Sequence, residues 1–375
     1  MIGAGLIGTG IAYELAKRGA TVTLYDRAEP MRAASWAGAG MLAPYSEELS
    51  DPALLALCHA SLQSYPAFVA ELHERTGVDA KLRAEGTLHV ALDDAAARDL
   101  PRRAAAFAAN GAQACVLDRS AAIAAEPMLA HDVRGAIHVA NEAHVDNRRL
   151  ARALTAAAAN LGVRFANAGE IALEADDRRV RGVRTERGFQ AAAIVVNAAG
   201  AWAGAVRGVP PAARIAVRPI AGEMLALAVP KGFGRGLVWS GDVYLVPRDD
   251  GRLLVGATVL DRGFDERVTA RGVQTLLATA LRVAPALGAF ALVETWAGLR
   301  PASHDGLPYL GATAIDGYLV AAGHYRNGIL LAPITARALA AVALGDAPPV
   351  DLTPFDPSRP VAEAARSLAN GNACA

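Results

Sequence analysis

The chain has 375 residues, and its 37 basic and 37 acidic side chains leave no net charge. Apolar residues make up 53% and aromatics 5%, which suits an alanine-rich globular enzyme of two domains or one large interleaved unit. Balanced, scattered charge excludes an electrostatic nucleic-acid or acidic-membrane binder. Cys58, Cys115 and Cys374 share no metal-ligand spacing and fit thiols in a reducing cytoplasm. No apolar run reads as a membrane span and no secretory leader opens the chain, so a cytoplasmic protein is expected.

The chain opens MIGAGLIGTG, where Gly3, Gly5 and Gly8 form G-x-G-x-x-G. A helix through IAYELAKRG, capped at Gly19, is expected next. TVTLYD then reads as a strand ending in Asp26, 18 residues past Gly8, where a ribose-binding carboxylate belongs. The glycines permit a tight turn, close approach of a pyrophosphate and helix–strand packing. A glycine triplet alone is common. Triplet, helix, strand and terminal acid together point to a dinucleotide site without choosing between FAD and NAD. Only Met1 and Ile2 precede Gly3. Most of the first strand of such a sheet is therefore expected upstream, as about 5–10 further residues.

From Arg32 to Pro44 small residues dominate, and Ser35, Gly38 and Gly40 would let backbone lie against a cofactor. An apolar stripe including Leu54, Leu62, Phe68 and Leu72 predicts a helix from Pro52 to Thr76. Glu85 to Asp94 alternates like a strand, and AAARDLPRRAAAFAANG reads as a helix. GAIHVANEAHVDNRRL holds a strand, a turn and a helix start at Val145–Asn147. His138 and His144 have no partner cluster there, so no metal site is read from them. A helix from Arg149 to Leu161 and the strand VRFAN follow, then an antiparallel pair in EIALEADD and RVRGVRTERG. Ile194 to Asn197 is a fully apolar parallel strand, after which an AAG turn and Trp202 lead into a helix. From Arg214 to Glu294 the text alternates like an antiparallel sheet, with a hairpin at Asp249–Gly251.

The most informative stretch runs from Trp296 to Pro333: WAGLRPASHDGLPYLG, a short strand YLVAA, then GHYRNGILLAP opening a helix. Arg300 and Arg326 stand near Gly298 and Gly328. An arginine fork matches a small carboxylate, because its fixed donors meet two oxygens at once. Gly323 and Gly328 bracket a strand-to-helix turn where backbone can approach a ligand.

GAGLIG…LYDR, SWAGAGMLAP, VVNAAGAW, DVYLVPRDDGRLLVGAT, WAGLRP…DGLPYLG and GHYRNGILLAP occur in this order. Together they resemble the D-amino-acid oxidase-like flavoenzymes, and within them the glycine oxidases of thiamine biosynthesis, over nearly the whole chain. The resemblance implies an α/β fold: a Rossmann-like FAD-binding domain (1–79, 138–207 and 295–360) with an inserted, mainly antiparallel β-sheet substrate domain (80–137 and 208–294) and a loosely packed tail (361–375). It implies non-covalent FAD, with Leu6 and Ile7 at the pyrophosphate turn and Asp26 and Arg27 at the adenosine ribose. Ala34, Ser35, Gly40, Met41 and Leu42 would follow the flavin side, and Glu170 would sit near the adenine. His324, Tyr325, Arg326, Asn327, Gly328, Ile329 and Leu330 would cap the isoalloxazine. Arg300 would grip the substrate carboxylate with Arg326 beside it, and Tyr244 would close the pocket.

Flavin chemistry needs no metal, triad or catalytic base from the protein, and none is expected. The implied partners are a small amino acid and O2, with no nucleic acid or membrane, and a homo-oligomer is compatible. A sarcosine oxidase or D-amino-acid dehydrogenase would share the arginine clamp. An NAD-dependent dehydrogenase or a non-catalytic nucleotide-binding relic remain further alternatives.

Overall fold

The computed structural model describes residues 1–360, so the expected tail 361–375 lies outside the described residues. A parallel sheet forms the nucleotide unit. Strand β1 (Thr23–Asp26) pairs in parallel with β7 (Arg164–Asn167). Strand β11 (Val195–Asn197) pairs in parallel with β18 (Tyr318–Ala322), whose other edge takes β17 (Tyr309–Ala312) antiparallel. Ile2 bridges Tyr25 on one side and Asn197 on the other. Tyr25 N donates to Met1 O at 2.9 Å and Ile2 N to Val196 O at 2.9 Å. Met1 and Ile2 thus occupy the central position expected of the first strand.

Four helices pack as a layer beside this sheet: α1 (Leu6–Lys17), α3 (Pro52–Thr76), α6 (Asn147–Asn160) and α8 (Ala332–Leu344). Helix α3 is long and apolar enough to cross a membrane by length and composition, which corrects the expectation that no run reaches that length. In the fold its stripe of Leu54, Leu57, Tyr65, Phe68 and Leu72 is buried against α6 and α8. It is a core helix whose outer face carries mostly alanine and proline, with His73, Glu74 and Arg75 exposed at its C-terminal end. Helices α1 and α8 approach closely because Gly10 faces Ala336; a Cβ on Gly10 would lie 3.1 Å from the Ala336 Cβ.

The antiparallel trio β8 (Ala172–Ala175), β9 (Val180–Thr185) and β10 (Gly188–Ala191) contains the expected pair. Two short strands, β2 (Met41–Leu42) and β6 (Ala143–His144), tie the segment after α2 (Ala34–Ala37) to the start of α6.

The second unit is an eight-stranded sheet. Its order is β16 (Leu292–Ser303), β12 (Val217–Ala228), β15 (Arg252–Gly256), β14 (Val243–Pro247), β13 (Leu237–Ser240), β3 (Thr87–Ala91), β5 (Gly135–Val139) and β4 (Ala114–Leu117). All neighbours are antiparallel except β13 and β3. Helices α4 (Asp94–Ala109), α5 (Arg119–Ala125) and α7 (Ala270–Val283) accompany it.

Four expectations need correction. Residues 214–294 read as sheet throughout, yet they contain α7, which begins at Thr269, whose side chain accepts from Gly272 N. Its buried Gly272, Leu276, Ala280 and Val283 follow helical spacing. The boundaries at 138 and 295 cut β5 and β16, both of which belong to the eight-stranded sheet. The turn after β11 leads into a 3-10 helix, Gly200–Ala205. Finally, the chain after about Pro357 is expected to be loosely packed, yet its last described residues are tied down: Arg359 donates to Asp305 at 2.8 Å and to the Leu307 carbonyl at 2.8 Å.

The α1–α8 contact gives the first prediction. Gly10→Val should overpack it and cost about 1–3 kcal/mol, measured as a lower urea midpoint. An unchanged midpoint would show that glycine does not limit this contact.

Candidate active site

A cavity of ≈ 500 Å³ runs from the C-terminal end of β1 to the face of the eight-stranded sheet. Its nucleotide end is built by the glycine turn. Asp26 Oδ2 accepts from Ala4 N at 2.7 Å and Oδ1 from Ala28 N at 3.1 Å, which locks the turn to β1. Gly3 has φ +100°, and a Cβ there would lie 2.3 Å from Ala198 O. Gly3, Gly5, Leu6, Ile7, Asp26 and Arg27 line the cavity. Gly8 does not; its missing Cβ makes room for Gly3 O, so it serves helix–strand packing.

The start of α1 fits a pyrophosphate. Gly5 offers no side-chain cap, the first turn holds no acidic residue, and among the described residues only Leu6 N is taken, by Ser35 Oγ at 2.9 Å. Uncapped amides at a helix N-terminus favour an anion. Arg27 lies over the Trp202 ring at 3.5 Å, and Trp202 lines the same end. Glu170 reaches the mouth, exposed and paired with Arg207 at 2.8 Å.

The middle of the cavity is covered by the segment through α2. Ala34, Ser35, Gly40 and Met41 line it. Asn147 Nδ2 donates to Ser35 O at 2.9 Å and Trp36 O at 3.0 Å, and Trp296 Nε1 donates to Ala37 O at 2.9 Å. Gly40 has φ +75° and sits so close to Val145 O that a Cβ would lie 1.9 Å away. Leu42 is fully buried in the helical core and does not reach the cavity, because alternation along β2 turns it away from Met41.

The far end carries Arg300, Tyr244 and Arg326. Arg300 lies flat on backbone: a Cβ on Gly222 would sit 2.4 Å from its Nη1 and Nη2. Nη1 alone is tied to backbone, donating to Thr258 O at 3.1 Å and Ala221 O at 3.4 Å. Tyr244 rests on Gly256 in the same way, a Cβ there lying 2.7 Å from the ring, and its hydroxyl donates to Met224 Sδ at 3.8 Å. Burial, then the neighbouring Arg326, holds the Arg300 guanidinium below its usual range. Burial pulls Arg326 down too, but its ion pair with Glu47 outweighs this and leaves Arg326 above its usual value.

The C-terminal turn closes the cavity. His324, Tyr325, Arg326, Asn327, Gly328 and Ile329 line it, whereas Leu330 turns into the helical core. Tyr325 adopts φ 47°, a left-handed conformation rare for a tyrosine, and its N–H donates to Pro301 O at 2.8 Å. Burial lowers His324 to about 3, so its ring is neutral; Nε2 meets Thr335 Oγ1 at 3.2 Å. From α3, Ser61 donates to Leu330 O at 2.6 Å and Tyr65 to Ile329 O at 2.5 Å. The expected helix start at Gly328 is corrected: α8 begins at Ala332, after a turn in which Leu331 N bonds Asn327 O at 2.8 Å.

Sequence reasoning missed Glu47, Gly222, Gly256 and Met224. Glu47, Gly222 and Met224 lie outside the motifs quoted above, and Gly256, though inside one of them, matters only through the Tyr244 ring laid on it.

A family model described as FAD dependent oxidoreductase matches residues 1–342. Glycine oxidase of Pseudomonas putida is 35% identical over 361 residues, covering 95% of this chain and 97% of that protein. The bifunctional protein ThiO/ThiG of Trichormus variabilis is 37% identical over 345 residues, covering 91% of this chain and 51% of that protein. The crystal structure of glycine oxidase from Geobacillus kaustophilus superposes with a TM-score of 0.90 at 36% identity, over 96% of this chain and 98% of that one.

Gly222→Ala should displace the Arg300 guanidinium, a flexible end group, and leave the backbone intact. We expect weaker binding of a small carboxylate such as acetate, read from the flavin absorption spectrum, with a melting temperature close to wild type. Unchanged acetate binding would show that Arg300 does not depend on this seat.

Proposed function

The chain belongs to the FAD-dependent oxidoreductase family, and from that premise we propose that it oxidises glycine, or another small amino acid or amine, to the imine. Dioxygen would take the two electrons and leave as hydrogen peroxide, and water would then convert the glycine imine to glyoxylate and ammonia. Bound FAD supplies hydride acceptance from the substrate α-carbon. The remaining tasks fall to the chain's own residues: holding the pyrophosphate at α1, placing the substrate, and keeping bulk water from the reacting carbon.

The seat of Arg300 carries this reading. Two arginines meet at the cavity end, but Glu47 already neutralises Arg326, whereas no carboxylate pairs with Arg300 among the described residues. A partly buried cation with one backbone-tied edge and one free edge is prepared for a bidentate carboxylate. Tyr244 stays protonated, since burial raises its phenol, and would cover the bound substrate. His324 is uncharged and adds no cation beside the substrate ammonium. The ammonium proton passes to solvent, so no side chain is assigned as base.

We place the product imine in the formation of the thiamine thiazole, supported by the ThiO/ThiG relative, and the enzyme in the cytoplasm, supported by its three dispersed cysteines.

Three measurements test the reading. Purified protein reconstituted with FAD should be yellow and should release its colour on acid precipitation, because no cysteine lies in a flavin-contacting motif; colour kept by the pellet would refute non-covalent binding. Anaerobic glycine should bleach the flavin, and air should then yield peroxide. Bleaching without peroxide makes the protein a dehydrogenase, and reduction only by sarcosine or D-alanine moves the substrate assignment; no reduction by any of the three removes the amine-oxidation reading. Arg300→Ala should raise the apparent Michaelis constant for glycine by the equivalent of about 2–5 kcal/mol while FAD stays bound. Wild-type glycine affinity in that variant would transfer the carboxylate to Arg326.

A further inference from the structure

Arg300, Arg326 and Glu47 meet at the far end of the cofactor cavity, and all three line it. Two cations less one carboxylate leave a single positive charge for the substrate. The Arg326–Glu47 pair is held from both sides. Arg326 Nε donates to Glu47 Oε2, and the guanidinium lies 5.7 Å from the centre of the Trp239 ring. Glu47 is fixed through its backbone. Its N–H donates to Ala43 O at 3.3 Å, and Tyr45 N, Ser46 N and Ser46 Oγ just before it donate to the buried Glu142 carboxylate.

Neither charged head is sealed off. The Arg326 side chain keeps 18% of its surface and the Glu47 side chain 9%. Only Nε of the Arg326 guanidinium is engaged by a side chain or carbonyl among the described residues. A salt bridge that served only to tie the C-terminal turn to the segment before α3 would not need its heads on the cavity wall. A partly buried ion pair is also a weak source of stability. The pair stands close to the carboxylate clamp. Burial, and after it the charge of Arg326, holds Arg300 below its usual range, so a ligand on Arg300 lies in the field of Arg326 and Glu47.

We propose that Glu47 determines specificity: by occupying Arg326 it restricts the site to amino acids with one carboxylate and excludes aminodicarboxylic acids. The inference rests on Arg300 as the carboxylate clamp. A second carboxylate that reached the pair would find Arg326 Nε taken and the Glu47 charge beside it. It would lose its hydration without gaining a free cation. A neutral group of the same shape meets no such repulsion. With Glu47 neutralised, Arg326 becomes a second unpaired guanidinium near Arg300, and a dicarboxylate can bridge the two.

The test is calorimetric titration of the FAD-loaded protein with acetate, succinate and succinamate at mildly alkaline pH, where both succinate carboxylates are ionised. Succinate and succinamate share a shape and differ by one charge. Wild type should bind succinamate more tightly than succinate. Glu47→Gln should reverse the order, moving the succinate-to-succinamate affinity ratio by about 30-fold or more, the scale of one desolvated charge contact. The double variant Glu47→Gln/Arg326→Gln should lose that shift. A gain of affinity for one ligand of an equal-shaped pair is not what a loosened fold produces. Tighter binding of succinate than succinamate by wild type would overturn the proposal without any variant. So would an unchanged ratio in Glu47→Gln, or a shift that persists in the double variant, which would place the second carboxylate on another group. Acetate separates the two levels of the argument. Acetate binding with an unchanged ratio removes only the role of Glu47, whereas no acetate binding by wild type removes the Arg300 clamp and this inference with it.

Discussion

The β12–β16 ladder is the constraint on which the site depends. It pairs Val217 with Ser303 at one end and reaches Leu227 and Leu292 at the other, so one edge of the substrate sheet extends into the nucleotide unit. Its register sets Gly222 opposite Gly298 and Ile220 opposite Arg300. Gly222 gives the guanidinium a flat backbone seat. Gly298 lets the Ala37 methyl approach, since a Cβ there would lie 2.4 Å from it. Trp296 ties the same α2 segment through Ala37 O, while Pro301 O receives Tyr325 N from the C-terminal turn. A slip of one residue would turn Arg300 to the other face of the sheet and would break each of these ties together.

Charge at the cavity end is sorted by a second, buried network. Glu142 accepts from Tyr45 N at 2.9 Å, Ser46 N at 2.8 Å and Ser46 Oγ at 2.5 Å, and Ser46 Oγ also meets His89 Nε2 at 2.7 Å. Burial raises the Glu142 carboxyl to about 6 against the pull of these donors. This cluster fixes the chain just before Glu47, and Glu47 then pairs with Arg326. Two arginines can share the cavity only because one of them has its own carboxylate. The other, Arg300, pairs with no carboxylate among the described residues.

Much of the nucleotide unit was legible from sequence because its signals are local. The glycine turn, Asp26 and the parallel strand ending at Asn197 each declare their conformation within about 20 residues, as such fingerprints do. Arg300 was legible because a glycine-flanked arginine in WAGLRP is a compact chemical statement. The missed features are long-range. Gly222 and Gly256 read as weak positions in strands until Arg300 and Tyr244 are laid on them. Helix α7 was masked by the alternation around it, and the boundaries at 138 and 295 fall inside β5 and β16, strands that belong whole to the eight-stranded sheet. Leu42 and Leu330 lie within matched motifs but turn their side chains to the core, a distinction that motif position alone does not carry.

The segment from Ala33 to Met41 is thin, and hydrogen bonds from Asn147, Arg248 and Trp296 hold it because it has little apolar side chain of its own to bury. Its front lines the cofactor cavity and its back meets Arg248. A fold that covers its cofactor with small residues gains close approach, and it depends on groups behind that cover to keep it in place.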